Sequence, residues 1–278
     1  MARLIRVDTE LVRRNMARSR QHACQLINDG LIFVDGQQIT KPARQINPAQ
    51  ALVVKENVEN DYVSRGAFKL AGALKYLGEN APKIEGKLCL DAGASTGGFT
   101  DVLLRNGAKK VIAADVGYGQ LAWKLQSDER VIVKDRTNLR YITAEELEYK
   151  PEIIVGDLSF ISLTLLIEPL VKISDEFCNF LLMVKPQFEV GKEKLSHSGV
   201  VKDPIEHIMS IEKVAETAMK NGLKIYGVAP SPLPGPSGNV EYFLAMSFHT
   251  EQALVNEHLR EQVINAVENG PLKYKVKI

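Results

Sequence analysis

Leu88-Cys89-Leu90-Asp91-Ala92-Gly93-Ala94-Ser95-Thr96-Gly97-Gly98-Phe99 reads as an apolar strand, a glycine-rich turn and the first residues of a helix. In an open α/β sheet, ligands bind outside the carboxyl ends of the strands, where the strand order reverses. Small residues in such a turn let the backbone come close to a ligand, and the helix that follows offers free N–H groups. A dinucleotide site wants G-x-G-x-x-G. Here the three positions are Gly93, Ser95 and Gly98, so the middle glycine that admits a pyrophosphate is replaced. No Gly-Lys-Ser/Thr follows, which excludes a Walker loop.

A ligand without phosphates remains, and S-adenosylmethionine fits. Asp115 ends the next strand, Val111-Ile112-Ala113-Ala114-Asp115, where a carboxylate can accept both hydroxyls of a ribose. The competing reading is a structural glycine turn.

Outward from this turn, residues 64–278 alternate helix and strand. Strands are expected at 87–91, 110–115, 130–134, 152–157, 177–185, 223–229 and 240–248. Helices are expected at 66–77, 98–106, 119–127, 162–173, 203–221 and 251–268. Such alternation predicts an α/β fold with a mostly parallel seven-stranded sheet and helices on both faces. Only the Pro/Gly-rich stretch 230–238 separates the last two strands, so they are expected to form an antiparallel pair at one edge.

Residues 1–59 read as a separate small α+β unit. A helix begins near Val7, with Asp8 or Thr9 as candidate caps. Ser19 caps a second helix with an apolar stripe of Ala23, Leu26 and Ile27, and Asn28-Asp29-Gly30 stops it. Leu31–Val34 is a strand, Asp35-Gly36 a hairpin turn, and Ala51–Val54 a further strand. The polar stretch 56–62 is a linker, with the second domain starting at Ser64 after residues 60–63.

Composition bounds the function. The 278 residues are 45% hydrophobic and 25% charged, which excludes a disordered or collagen-like chain. No apolar run approaches the roughly 18 residues that span a bilayer, and the N-terminus has no apolar signal region. Three cysteines without a CxxC exclude a disulfide framework or a zinc site as the organising feature, no metal is expected, and the chain is expected in the cytoplasm. The net charge is +1, but residues 1–59 carry nine Lys/Arg against six Asp/Glu, and six of the arginines fall in the first twenty residues. A basic head on a neutral body points to an anionic polymer; a solvated helix face is the alternative.

Four residues stand out for chemistry. Lys69 lies on the helix before the first long strand. Asp157 ends the strand Ile153–Gly156. Lys185 ends the apolar strand Leu181–Val184, and Pro186 prevents that strand from continuing. Glu241 follows Gly238-Asn239-Val240. Singly, a lysine at a strand end is usually solvated and a carboxylate there is often a helix cap. Together, Asp157 and Lys185 end successive strands on the same sheet edge as the glycine turn.

The segments Ser64-Arg65-Gly66, DAGASTGGFT (91–100), AADVGYGQLAW (113–123), GDLSFISL (156–163), VKPQFEVGK (184–192) and SPLPGPSGNVEYF (231–243) resemble the TlyA family, whose members are called both haemolysin-like proteins and ribosomal RNA 2′-O-methyltransferases. The segments occur in family order across nearly the whole chain. The resemblance implies an FtsJ-like, Rossmann-like methyltransferase domain after an RNA-binding domain similar to that of a small-subunit ribosomal protein. It also implies a Lys-Asp-Lys-Glu tetrad, which falls on Lys69, Asp157, Lys185 and Glu241. The methyl donor is then expected on Asp91, Gly93, Ala94, Ser95, Thr96, Gly97, Gly98, Phe99, Asp115, Val116, Asp157 and Leu158, with Asp135 as the adenine-side contact.

A ribose hydroxyl is a poor nucleophile, so its proton must leave as it attacks the sulfonium methyl. A lysine whose charge is disfavoured by burial and a cationic neighbour can take it. Lys185 is the candidate base, oriented by Asp157. Lys69 would add like charge or position the ribose and phosphate, and Glu241 would hold a lysine or the ribose. Arg6, Arg18, Arg20, Lys41 and Arg44 are candidate phosphate contacts in the first domain; Arg65, Arg136, Arg140 and Lys192 could clamp RNA near the strand ends. Phe160, Phe188 and Tyr118 could stack on an extruded base. The resemblance implies a cytidine of ribosomal RNA as substrate. The basic start and helical tail look like the family's longer form, which acts on both subunits. A membrane-active haemolysin and an inactive rRNA-binding assembly factor are the competing functions.

Overall fold

The computed structural model describes residues 4–17, 19–28, 30–54 and 62–276, with the side chains of Gln25 and Lys192 outside the description. The chain divides into two compact units, Met1–Asp61 and Tyr62–Ile278. Arg18 and Asp29 lie outside the described residues, as does most of the expected linker. Val63, at the linker's expected end, belongs to the second unit: it is buried there, and its N–H donates to Asp101 Oδ2 at 2.9 Å.

The first unit runs β1 (Ile5–Arg6), α1 (Val7–Arg13), α2 (Arg20–Asn28), β2 (Ile32–Val34), β3 (Gln37–Gln38), β4 (Gln45–Ile46) and β5 (Leu52–Val54). Strands β1 and β4 form an antiparallel pair, and β3-β2-β5 an antiparallel sheet. The Asp35-Gly36 hairpin is present, with φ of +47° and +79°, the left-handed pair a two-residue turn needs. Ser19 Oγ accepts from His22 N at 3.1 Å and so caps α2. The expected cap of α1 is not formed by Asp8 or Thr9, because both lie within the helix and Asp8 is buried against arginines. Val7, Leu11, Ala23, Ile27, Ile32, Ile39 and Ile46 make the core.

The second unit runs α3 (Gly66–Leu77), β6 (Leu88–Ala92), α4 (Gly98–Arg105), β7 (Lys110–Ala114), α5 (Trp123–Gln126), β8 (Val131–Lys134), β9 (Ile153–Gly156), α6 (Ile167–Ile173), β10 (Asn179–Val184), α7 (Pro186–Glu189), α8 (Pro204–Lys220), β11 (Lys224–Pro230), β12 (Tyr242–Ser247) and α9 (Asn256–Glu268), with short 3-10 turns between some of them. The seven strands are ordered β11-β12-β10-β9-β6-β7-β8. The pairs among β10, β9, β6, β7 and β8 are parallel, while β12 runs antiparallel to both its neighbours.

Alternate strand residues feed two cores. Leu90, Ile112, Ile154, Leu182 and Leu244 pack with Leu170 of α6, Ile211 and Val214 of α8 and Val263 of α9. Cys89, Val111, Val155, Leu181 and Phe243 pack with Leu70 of α3 and Val102 of α4. Strands covered on both faces read as continuous apolar runs, and the partly exposed edge strand β8 still offers Val131-Ile132-Val133, so all seven were visible in the sequence. The chain passes from β6 outward through β7 and β8, then returns to the other side of β6 with β9 and β10. The order therefore reverses between β6 and β9, at the carboxyl ends Ala92-Gly93 and Gly156-Asp157.

Candidate active site

The tetrad candidates come from four places. Lys69 is on the first turn of α3, Asp157 directly follows β9, Lys185 follows β10, and Glu241 precedes β12. Two bare Cα positions make this convergence possible. A side chain at Gly98 would strike Ser64 Oγ and Ala67 N, so α4 can lie against the start of α3. A side chain at Gly72 would strike Pro232, so the proline-rich loop that ends in Glu241 can lie against α3.

The result is an alternating row of charges. Glu241 Oε2 stands 2.6 Å from Lys69 Nζ, Lys69 Nζ 3.7 Å from Asp157 Oδ2, and Asp157 Oδ1 2.6 Å from Lys185 Nζ. Lys185 Nζ also donates to Ser159 Oγ at 2.8 Å. Lys69, Lys185 and Glu241 are buried, and Asp157 is half-buried. Buried charges persist when each has a partner of opposite sign, and every member of this row has one.

The row opens on a cavity of about 350 Å³ that also takes Ser64, Arg65, Gly93–Thr96, Gly98, Phe99, Ser159, Pro234 and Pro236. Beside it lies a second cavity of about 500 Å³, lined by Gly93, Ser95, Asp115, Val116, Gln120, Thr137, Asn138, Leu139, Asp157–Ile161 and Leu166. The two share Gly93, Ser95, Asp157 and Ser159.

The second cavity suits an uncharged nucleoside attached to a cation. No lysine or arginine lines it, Val116, Leu139, Leu158 and Ile161 offer apolar surface, and the carboxylates Asp115 and Asp157 face it from two sides. Asp115 accepts from Ser95 N at 2.9 Å and Gly117 N at 2.7 Å, one to each oxygen. Each oxygen keeps a further lone pair for a ribose hydroxyl. Ser95, where a dinucleotide site has its middle glycine, holds φ of +47°. Gly93 has φ of +86°, and a Cβ there would lie 3.0 Å from the Asp157 carbonyl. These features fit S-adenosylmethionine and leave no basic group for a pyrophosphate.

Ten of the expected donor residues line one or both cavities: Gly93, Ala94, Ser95, Thr96, Gly98, Phe99, Asp115, Val116, Asp157 and Leu158. Three of the expected donor residues line neither cavity. Asp91 is fully buried beneath the turn, and its Oδ2 accepts from Thr100 N at 2.8 Å and Thr100 Oγ1 at 2.7 Å, so it fastens the start of α4. Burial pushes its carboxyl up to about 7. Gly97 faces Leu121 and Leu125, so it serves packing. Asp135 accepts from Gly119 N at 2.9 Å and so closes a turn, and Thr137, Asn138 and Leu139 just beyond it line the second cavity. These three, with Gln120, Ser159, Pro234 and Pro236, were missed from the sequence. The signal for 137–139 was their place just beyond the third strand end.

Arg65, Arg136 and Arg140 are exposed, and Arg65 lines the tetrad's cavity. The Arg136 guanidinium lies 4.3 Å from the Tyr118 ring centroid. Phe160 is 91% exposed with φ of +63°, its ring 5.4 Å from that of Phe188. In the first unit, Lys41 and Arg44 are exposed. Arg6 and Arg20 both reach Asp8 Oδ2, at 2.8 and 3.1 Å, and stay largely solvated.

The family models agree with this geometry: residues 62–248 match the FtsJ-like methyltransferase model and residues 5–51 the S4 domain model. The 16S/23S rRNA (cytidine-2′-O)-methyltransferase TlyA of Mycobacterium tuberculosis is 49% identical over 98% of this chain and 100% of its own length. The 23S rRNA (cytidine-2′-O)-methyltransferase TlyA of Campylobacter jejuni is 35% identical over 81% of this chain and 92% of its own. A solved Streptococcus thermophilus chain that carries a haemolysin label superposes with a TM-score of 0.72 at 34% identity, covering 98% of both chains. With a methyltransferase model over two thirds of its length and full-length relatives at such identity, the chain belongs to the TlyA family of FtsJ-like, S-adenosylmethionine-dependent methyltransferases.

Proposed function

We propose that this protein methylates the 2′-hydroxyl of a cytidine ribose in ribosomal RNA, in both the small and the large subunit. The observation that carries the reading is the unbroken row Glu241–Lys69–Asp157–Lys185, set on the cavity that adjoins the donor-shaped one. When bound, S-adenosylmethionine supplies an electrophilic methyl on a cationic sulfur. The chain's own residues do the rest. Lys185 takes the proton of the 2′-hydroxyl, and Asp157 orients Lys185. Glu241 and Asp157 together hold Lys69, which positions the ribose and its phosphate. The cytidine assignment rests on the names of the two TlyA relatives. The assignment to both subunits is supported by coverage, since the 16S/23S relative spans nearly the whole chain and the 23S relative leaves about a fifth of it unmatched.

Residues 1–59 would supply docking, with Arg6, Arg18, Arg20, Lys41 and Arg44 on phosphates, and the remaining residues chemistry. Arg65, Arg136, Arg140 and Lys192 would clamp the local backbone. A bulky residue held at positive φ is strained, and such strain gathers at functional sites. Phe160 is therefore the first candidate to stack on an extruded base, with Phe188 beside it and Tyr118 a further candidate.

The test is transfer of tritiated methyl from S-adenosylmethionine to unmodified small and large subunits, followed by mapping of the modified ribose. Label on a base or on protein would reject the reading. Label on one subunit alone would reject its dual specificity. Removing residues 1–59 should preserve donor binding and abolish subunit methylation. A membrane-lytic role has the haemolysin label behind it; no helix among the described residues is long and apolar enough to cross a bilayer. Leakage from liposomes on adding the purified protein would support that role.

A further inference from the structure

Lys69 and Lys185 are held differently. Lys69 Nζ lies between two carboxylates, Glu241 at 2.6 Å and Asp157 at 3.7 Å. Lys185 Nζ has one carboxylate, Asp157 Oδ1 at 2.6 Å, and one neutral partner, Ser159 Oγ at 2.8 Å. A carboxylate can only accept a hydrogen bond. A hydroxyl can accept or donate, so it remains a partner whether the amine has three protons or two.

Ser159 also sits where the geometry of proton transfer is decided. It is exposed, it lines both cavities, and it touches the buried Lys185 amine. An amine that has lost a proton has two N–H directions and one lone pair. Ser159 Oγ takes one N–H direction, while Asp157 Oδ1 meets the amine as an ion pair at 2.6 Å without hydrogen-bond geometry, so the hydroxyl is the contact that sets the direction. With Asp157 alone, the amine could rotate about that single contact.

We infer that Ser159 is a positioning residue for methyl transfer, its hydroxyl fixing Lys185 so that the lone pair meets the ribose hydroxyl. The inference rests on Lys185 as the base. Held but not created by Ser159, the base should still work without it, only less often in the right orientation.

The experiment compares Ser159→Ala, Ser159→Thr and Lys185→Ala in the full chain. It measures turnover and KM on unmodified ribosomal subunits, and donor affinity by calorimetry. A hydrogen bond to a charged group corresponds to roughly 10- to 150-fold. Ser159→Ala is therefore expected to lower kcat by about 10-fold or more, with KM and donor affinity within about 2-fold. Ser159→Thr, which keeps the hydroxyl, is expected to recover most of the rate. The inference is overturned if Ser159→Ala retains at least half of wild-type kcat, if its loss appears in KM or donor affinity instead, or if threonine is as impaired as alanine. Lys185→Ala separates the two layers. If it keeps more than a tenth of wild-type turnover, the base assignment itself falls. If it is inactive while Ser159→Ala is unimpaired, only the role of Ser159 falls.

Discussion

The two units use the same pairing of carboxylate and cation in opposite ways. In the first, the carboxylates are buried and most of their cations face water, Arg14 being the more enclosed one. Asp8 and Glu10 are buried, while the Arg20 side chain is 62% exposed and that of Arg13 is 58% exposed. In the second, the tetrad lysines are themselves buried, 9% and 7% exposed at the side chain. A buried carboxylate under an exposed arginine fixes where a positive charge stands without consuming its outward face, which suits phosphate docking. A buried lysine between fixed partners loses its water and keeps one direction open, which suits chemistry on a single hydroxyl. Between these two clusters, what differs is the burial of the cation.

The largest effect is expected of Lys185→Ala. Removing a general base costs about 10²–10⁴-fold in rate, so methyl transfer should fall by at least 100-fold, while donor affinity stays within a few-fold because Lys185 does not line the donor cavity. Retention of a tenth of the activity would show that this buried cation is structural. Next in size is Asp115→Ala. Its carboxylate lines the donor cavity and also holds Ser95 and Gly117, so donor affinity should fall by roughly 10- to 150-fold. Unchanged affinity by calorimetry would move the ribose elsewhere.

For the first unit, the informative change is Arg20→Gln. Reversing the charge would set a glutamate against the buried Asp8 and confuse docking with folding. The neutral variant should bind subunits several-fold more weakly and lower the slope of log affinity against log salt by about 0.7–0.9, the share of one phosphate contact. An unchanged slope would mean that Arg20 serves only Asp8.

The seven strands were legible because each is an apolar run bounded by turn residues. The helices were less so. The expected helix 119–127 shrinks to Trp123–Gln126, because Asp135 takes the Gly119 amide and Arg136 N donates to the Gly117 carbonyl, holding that stretch as a turn. The expected helix 162–173 is broken because Glu189 accepts from Ser162 Oγ at 2.5 Å and Leu163 N at 2.8 Å, drawing the start into a 3-10 turn before α6. The expected start of the last helix at 251 moves to Asn256. Two-residue strands such as β1 and β4 have no periodicity to read. At the site, the tetrad was visible through motif order. Asp91 and Asp135 line neither cavity for one reason: a carboxylate at a strand end satisfies a nearby backbone amide as readily as it meets a ligand. Ser159 and Asn138 are exposed loop residues, and only the folded loops bring them to the cavities.

The smallest expected effect is one of sign, and it sets the two units against each other. Hydrogen bonds from Arg13 hold the Glu10 carboxyl near 2, and those from Arg6 hold Asp8 well below the usual carboxylate range. A depressed carboxyl contributes stability that is full above its ordinary value of about 4.5 and is lost as pH falls toward 2. Asp91 is the reverse. Its burial holds the carboxyl near 7, and its Oδ1 has no partner, so its cost to the folded state is absent below about pH 4, grows as pH rises, and is complete above pH 7. Glu10→Gln should therefore lower the melting temperature at pH 7 by a few degrees, with the deficit shrinking as pH falls from 4.5 toward 2. Asp91→Asn should gain a few degrees on the wild type between pH 4 and pH 7.5. Thermal unfolding of the full chain followed across this range tests both. If the Asp91→Asn difference stays flat with pH, the buried carboxyl is ionised throughout, and the second unit has a cation beside it that the hydrogen bonds to Thr100 do not reveal.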